Sequence, residues 1–261
     1  MIRSLCLEMI YGELPFCERI RAAAAAGYEA IEFWDWRNKD LAEVAAVTRG
    51  VGLPVAAFSG NRRHTMANPA DLAGFREEIR ESLEAARKVG ARCLMLLTDR
   101  LLEDGSAAAL PENLSASDKM EAAAVSLGEA ASLARGSGVT MALEPLNTRL
   151  DHPRYFLDNS AAGFDLVRKV NVPEARLLYD AYHMAMMGED VTSVVSGNLE
   201  LIGHIHAADM PGRHEPGSGE IDYAGFAAAL KRLNYTGAVG MEFSPSGGSA
   251  EAAEAARRIF S

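Results

Sequence analysis

Four polar side chains in the second half of the chain each close a short apolar run. They are Glu144, Asp180, His206 and Glu242, and they follow one another at intervals of 36, 26 and 36 residues. Each interval is long enough for one strand and the helix that leads to the next strand. The spacing therefore predicts that the four side chains end four neighbouring parallel strands and point to one place.

These four side chains form a donor set that suits a cation. Three carboxylates brought together beside an imidazole in a partly dry site would repel one another, and a divalent ion removes that repulsion. Oxygen-rich ligands with one nitrogen favour Mn²⁺, Mg²⁺ or Co²⁺, with Zn²⁺ as a further candidate. A single acid at a strand end is commonly solvated or salt-bridged, but four at one height are harder to explain by packing. We therefore expect one divalent metal ion here.

Two further polar residues are candidates for substrate binding. His183 and Arg213 lie a few residues after the sixth and seventh predicted strands, so both would project over the metal from loops. The guanidinium fork of Arg213 suits a carboxylate or a phosphate. The alternatives are a surface Arg213 that pairs with Asp209 or Glu215, and a His183 that caps the helix that follows.

Other residues near these strand ends have weaker claims to a role. His204 shares a strand face with His206 two residues away and lies deeper, so we interpret it as a hydrogen-bonded core histidine and not as a ligand. Trp34 is the last residue of the second predicted strand, and Phe58 is the last but one of the third. They are candidates for the wall of a pocket, or equally for packing at its rim.

The elements that must position these residues alternate along the whole chain. Short, nearly continuous apolar runs are typical of parallel strands buried on both faces. Helical patterns separate these runs, and several of the patterns end at a glycine, which favours the left-handed stop of a helix. The predicted strands are residues 4–9, 30–34, 54–59, 92–98, 139–144, 176–180, 201–206 and 238–243. The predicted helices are residues 16–26, 41–50, 71–89, 117–136, 160–170, 191–197, 223–233 and 250–259.

Eight strands that are each followed by a helix predict an α/β fold, a single (β/α)8 TIM barrel of parallel strands that forms one domain over residues 1–261. A doubly wound open sheet is the rival. That fold usually has a glycine-rich phosphate turn after its first strand, and residues 11–15 do not form one. The least regular segment, residues 100–115, is predicted to be a βα loop that could act as a lid.

The composition of the chain limits the classes of molecule that it is expected to bind. The 261 residues carry 26 Lys and Arg against 36 Asp and Glu, a net charge of −10, which disfavours nucleic acid. No uncharged apolar stretch of about 18 residues predicts a membrane span, and the N-terminal residues do not resemble a signal peptide. Three cysteines without CxxC spacing indicate a reducing compartment. We therefore expect a soluble cytoplasmic protein that acts on a small molecule, and a homo-oligomer is compatible with the sequence.

Several segments resemble the hydroxypyruvate isomerase family, which belongs to the xylose-isomerase-like barrels and has the ketose 3-epimerases as cousins. The similarity covers essentially the whole chain and is dense at residues 144–149, 180–184, 203–209 and 211–223. The resemblance implies that Glu144, Asp180, His206 and Glu242 hold the divalent metal. It also implies that Glu144 and Glu242 form the acid/base pair and that His183 and Arg213 bind substrate.

The implied activity is a metal-dependent isomerisation of the aldose–ketose type on a small hydroxy-keto acid. The substrate would be hydroxypyruvate, converted to tartronate semialdehyde, or a 2-oxo-tetronate, and the intermediate a cis-enediolate. One position departs from the pattern, since hydroxypyruvate isomerases carry Gln where this chain has His206 and 3-epimerases carry His. A ketose 3-epimerase is therefore the first alternative. A metal-dependent phosphodiesterase related to apurinic-site endonucleases and a non-catalytic sugar- or keto-acid-binding protein are the others.

Overall fold

The computed structural model describes all 261 residues as a closed barrel of eight parallel strands. Each strand pairs with its neighbours in chain order, and the last strand pairs with the first. This closure confirms the predicted TIM barrel and excludes the open doubly wound sheet. The strands are β1 (Ile2–Cys6), β2 (Ala30–Phe33), β3 (Val55–Ser59), β4 (Cys93–Leu96), β5 (Thr140–Leu143), β6 (Ala175–Asp180), β7 (Ile202–Ala207) and β8 (Ala238–Met241).

Nine α-helices surround the barrel, and their apolar faces close its outer core. Helix α3, for example, buries Phe75, Ile79 and Ala86, and the residue that follows it is Gly90, whose φ of 73° suits a residue without a Cβ. The helices are α1 (Phe16–Ala25), α2 (Leu41–Val51), α3 (Leu72–Val89), α4 (Ala116–Ala134), α5 (Ser160–Val170), α6 (Ala181–Met187), α7 (Val191–Asn198), α8 (Tyr223–Arg232) and α9 (Ser249–Ile259). No helix has both the length and the apolar character that crossing a membrane requires.

The structure corrects two predicted elements near the site. The first strand ends at Cys6, so the last predicted strand residues, 7–9, form a turn instead. The sixth strand leads directly into the short helix α6, where the sequence predicts a loop. This helix begins because a side-chain oxygen of Asp180 accepts a hydrogen bond from the backbone N–H of His183. His183 therefore lies within a helix.

Residues 100–115 form the predicted irregular connection between β4 and α4. An isolated antiparallel bridge joins Leu101 to Ala107, and no helix or longer strand forms there. Several residues of this loop face the cavity above the barrel, including Leu101, Leu102 and Glu103. The loop is thus one wall of the cavity, and its motion as a lid stays a prediction.

Candidate active site

The four predicted strand-end residues meet at the carboxyl end of the barrel. Glu144 and Glu242 directly follow β5 and β8, Asp180 ends β6, and His206 lies one residue before the end of β7. The strand register places Asp180 opposite His206. All four side chains are buried, with between 0% and 6% of each residue exposed. The fold therefore removes these polar groups from bulk water and turns them toward one another.

The distances between them are those of a compact ligand group. The Nδ1 atom of His206 lies 3.3 Å from Glu144 Oε1, 3.5 Å from Glu242 Oε2 and 4.0 Å from Asp180 Oδ2. One potential ligand atom from each residue lies within 4.8 Å of the other three. The four side chains that the sequence predicts to converge therefore do lie together, and their role as ligands stays a prediction.

One atom of this cluster has no partner in the protein. Asp180 uses Oδ1 to cap α6, while its Oδ2 is buried and accepts no hydrogen bond. A buried carboxylate oxygen without a partner is costly, and it lies here among two more carboxylates and an imidazole nitrogen. Three oxygen donors and one nitrogen fit a single divalent ion such as Mn²⁺, Mg²⁺ or Co²⁺.

Protons are the natural competitors for such an ion. Burial raises the pKa of Asp180 to about 7, and the nearby carboxylates of Glu144 and Glu242 add to that shift while Arg213 and His206 oppose it. Burial alone would lower the pKa of His206, but the carboxylates around the ring raise it well above its usual value. A cation that binds here therefore displaces protons near neutral pH.

The hydrogen bonds around His183 determine which of its nitrogens carries a proton. The side-chain oxygen of Asn147 accepts from the backbone N–H groups of Leu150 and Asp151, so its amide nitrogen must be the donor on the other side. That nitrogen lies 2.6 Å from Asp151 Oδ2 and 2.7 Å from His183 Nδ1. His183 Nδ1 therefore accepts, and the ring proton resides on Nε2, 3.7 Å from Asp180 Oδ2.

His183 is also held in its neutral form. The residue is buried, and burial together with the positive charge of Arg213 lowers the pKa of its imidazole well below the usual value. A neutral ring with a proton on Nε2 is a hydrogen-bond donor for an oxygen atom in the cavity. This arrangement suits the predicted substrate contact, although the residue reaches the site from a helix and not from a loop.

Arg213 pairs with a member of the acidic cluster. Its Nη2 donates to Glu242 Oε2, so the pairing with Asp209 or Glu215 that the sequence left open does not form. Asp209 instead orders the loop, because its carboxylate accepts from the backbone N–H groups of Gly217, Gly219 and Ile221. Arg213 is thus a positive charge fixed directly against the predicted metal ligands.

Trp34 makes a contact that the sequence did not indicate. Its indole N–H donates to Glu242 Oε1 at 2.6 Å, and the Cys6 thiol lies 3.8 Å from the same oxygen. Burial would raise the pKa of Glu242, but the charges of His206 and Arg213 and the Trp34 donor hold it below its usual value. Trp34 is therefore both a wall of the cavity and a restraint on one of the two glutamates.

The cavity above the cluster has a volume of about 280 Å³, enough for a small metabolite. Four of the residues singled out in the sequence line this cavity, namely Glu144, Glu242, His183 and Arg213. Asp180 and His206 lie beneath it, and Phe58 is not part of its wall. Residues that the sequence did not single out complete the wall, including Arg62, Met95, Leu97 and Gly105. Arg62 has no acidic partner, which leaves a guanidinium group available to a ligand.

Comparison with known proteins agrees with this fold. The family model for the xylose isomerase-like TIM barrel matches residues 20–260. The 2-oxo-tetronate isomerase of Cupriavidus necator is 32% identical over 93% of this chain and 92% of its own length. The hydroxypyruvate isomerase of Escherichia coli is 28% identical over 92% of each chain.

Solved structures show the same architecture. A crystal structure titled AP endonuclease, family 2, from Brucella melitensis has a TM-score of 0.87 and 28% identity over 97% of this chain and 96% of that one. A D-psicose 3-epimerase of Clostridium cellulolyticum has a TM-score of 0.81 over 100% and 99% of the two chains, and at 18% identity it shows the fold alone. The chain therefore belongs to the xylose isomerase-like TIM-barrel family, as a hydroxypyruvate isomerase-like enzyme.

Proposed function

We propose that the protein isomerises a small hydroxy-keto acid, hydroxypyruvate or a 2-oxo-tetronate, with the help of one divalent ion. The observation that carries the proposal is the buried group of Glu144, Asp180, His206 and Glu242 under a cavity of about 280 Å³. Relatives that are about 30% identical over nearly the whole chain bear the names of these two isomerases. Mn²⁺, Mg²⁺ or Co²⁺ is the proposed ion.

The reaction requires a proton to move between adjacent carbons. Removal of a proton from the carbon that bears the hydroxyl group gives a cis-enediolate. The isomerisation is complete when a proton returns to the former carbonyl carbon and the hydroxyl proton moves from its own oxygen to the former carbonyl oxygen. When bound, the ion would stabilise the negative charge that develops on the two oxygens. Glu144 and Glu242 are the proposed proton carriers, since both line the cavity. They follow β5 and β8, and the two intervening strands β6 and β7 keep them apart. General acid/base help of this kind is typically worth about 10²–10⁴-fold.

The two glutamates are proposed to differ in their tasks. Glu242 has one oxygen bound to Trp34 and the other to Arg213, whereas His206 is the only hydrogen-bonding partner of the Glu144 side chain, through Oε1. Glu144 Oε2 has no hydrogen-bond partner and is free to approach a substrate carbon. We assign the first proton removal to Glu144, with Glu242 as the partner that returns or orients the proton.

His183 and Arg213 are proposed to orient the substrate. The Nε2–H group of His183 would donate to a substrate oxygen, and Arg213 would bind the carboxylate or a distal hydroxyl group. Arg62 adds a second guanidinium to the cavity wall. A guanidinium group is the donor that best matches the planar carboxylate of a hydroxy-keto acid.

Proton exchange with solvent tests the proposal. The metal-loaded enzyme is incubated in deuterated water with hydroxypyruvate, a 2-oxo-tetronate or a free ketose, and deuterium uptake is followed by NMR. We expect uptake into the acids, and its loss in Glu144→Gln and Glu242→Gln. Glu103→Gln is the matched control, because Glu103 lines the same cavity but lies outside the cluster. Turnover of the acids at the wild-type rate by both cluster variants would contradict the proposal.

A ketose 3-epimerase is the second candidate, and His206 is the observation that favours it. The resemblance noted from the sequence implies His at this position in the 3-epimerases and Gln in the hydroxypyruvate isomerases. The same experiment separates the two, because an epimerase would exchange the C3 proton of a free ketose and leave the acids unlabelled.

A further inference from the structure

A charged residue lies inside the barrel, one layer below the proposed metal ligands. Glu32 on β2 is completely buried, and no lysine or arginine pairs with it. Its Oε2 lies 2.9 Å from His206 Nε2 and 3.1 Å from His204 Nε2, while its Oε1 has no partner. Burying a carboxylate costs free energy unless the charge is paired and hydrogen-bonded. The two histidines are the only groups that pair with the Glu32 carboxylate, so its role must lie in these contacts.

The barrel contains a space that fits this carboxylate. Gly240 on β8 lies opposite His206 in the sheet, and a Cβ atom at Gly240 would come within 2.3 Å of Glu32 Oε1. The glycine therefore leaves the room that the acid occupies. An apolar side chain at position 32 would fill the interior without burying a charge, so the pairing of Glu32 with Gly240 indicates that the carboxylate has a use.

The contact between Glu32 and His206 Nε2 determines whether the other ring nitrogen, Nδ1, carries a proton or a lone pair. Because Glu32 Oε2 can only accept, the proton on this edge belongs to His206 Nε2. A neutral ring then carries its lone pair on Nδ1, which faces Glu144, Glu242 and Asp180 at 3.3–4.0 Å. His204 donates to the same oxygen and so fixes the carboxylate in this position.

We propose that Glu32 is the positioning residue of the metal site: it holds the His206 ring with Nδ1 toward the ion and raises the basicity of that nitrogen. The inference rests on the proposed function, since it needs a metal at the four-residue cluster. Glu32 itself touches neither the ion nor the substrate. Removing such a partner of a metal-bound histidine typically costs about 10–100-fold in metal affinity.

Cobalt binding to the full-length protein tests this role without reference to turnover. Co²⁺ is titrated into the metal-free wild type and into Glu32→Gln and Glu32→Ala, with the visible absorption of Co²⁺ and the binding heat as readouts. We expect one Co²⁺ per chain, and an affinity that falls about 10–100-fold in the variants. Ser4→Ala is the control, because Ser4 is buried in the barrel interior and its hydroxyl has no partner.

The tautomer of His206 in the wild type is a second measurement, and it does not depend on whether the variants fold. NMR of the Zn²⁺-loaded, ¹⁵N-histidine-labelled wild type should show His206 with a proton on Nε2 and metal on Nδ1. A metal on Nε2, or Co²⁺ affinities of folded variants equal to wild type, would overturn the positioning role alone. Two Co²⁺ per chain would also overturn it, since Glu32, His204 and His206 would then be ligands themselves. Failure of the wild type to bind Co²⁺ would overturn the metal site first.

Discussion

Glu144 and Glu242 both belong to the predicted metal-binding cluster, and the protein surrounds them with very different partners. Glu242 receives the Trp34 indole N–H on one oxygen and the Arg213 guanidinium on the other. The Glu144 side chain has a single contact, to His206, although its backbone is fixed because the Tyr155 hydroxyl donates to its carbonyl oxygen at 2.9 Å. One carboxylate is thus fixed at both oxygens and the other only through its backbone and one oxygen.

This difference separates two tasks that a pair of acids must share. A carboxylate that is fixed by a cation and a neutral donor stays ionised and keeps its geometry, which suits a ligand. A carboxylate with a free oxygen beside the cavity is better placed to take a proton from carbon. Two side chains of one type therefore acquire different uses from their neighbours alone.

The largest expected effect comes from removing the freer acid. Glu144→Gln should lower kcat by about 10²–10⁴-fold because the variant cannot accept the first proton. Deuterium uptake from solvent, measured before net turnover, should fall by the same factor. If Glu144→Gln still exchanges the substrate proton while Glu242→Gln does not, the two tasks are assigned the wrong way round.

The next effect concerns pH and the acids beneath the cavity. Because the pKa of Asp180 is about 7 and that of His206 is also raised, protons occupy the site at low pH. The affinity for Mn²⁺ should therefore increase from pH 6 to pH 8, by up to about tenfold per pH unit for each proton displaced. Calorimetry in two buffers of different ionisation enthalpy should detect the released protons. An affinity that is constant over this range would contradict the assignment of these ligands.

A smaller effect should follow from loosening the fixed acid. Trp34→Phe keeps an aromatic wall but removes the donor to Glu242, and a hydrogen bond to a charged group is worth about 1.5–3 kcal/mol. We expect kcat to fall by about tenfold. Trp36→Phe is the matched control, because the Trp36 indole N–H donates to Ser82 Oγ and not to the site. Equal rates for the two variants would show that Glu242 does not need this restraint.

The smallest effect concerns the two guanidinium groups of the cavity. Arg213 is engaged by Glu242, whereas Arg62 is exposed and has no acidic partner. Arg62→Ala should raise KM for a hydroxy-keto acid by a few-fold, since exposed ion pairs contribute about 0.2–1 kcal/mol. Arg63→Ala should leave KM unchanged, as Arg63 pairs with Glu81 and does not line the cavity. A KM for Arg62→Ala equal to wild type would remove Arg62 from the binding surface.

The sequence predicted the parts of this site that depend on periodicity. Eight apolar runs with polar residues at their ends were enough to predict the barrel and the meeting of Glu144, Asp180, His206 and Glu242, because strand ends in a parallel barrel share one face. Glu32, an acid within an apolar strand, is the sequence feature that marks the charged layer below this cluster.

Contacts between distant elements could not be predicted in the same way. Trp34 and Glu242 are 208 residues apart, and Glu32 and His206 are 174 apart. Each contact joins β2 or the residue after it to β7 or the residue after β8, strands with which β2 does not pair, so it forms only across the closed barrel. The seven-residue helix α6 is too short for its periodicity to stand out. The sequence therefore leaves open the partners and orientation of these side chains, but not the place where the four strand-end residues meet.

Anomalous diffraction from crystals grown with Mn²⁺ tests the central claim most directly. We predict one anomalous peak per chain within bonding distance of Glu144, Asp180, Glu242 and the Nδ1 atom of His206. Absence of a peak from this position, or a peak between Glu32, His204 and His206 instead, would contradict the account.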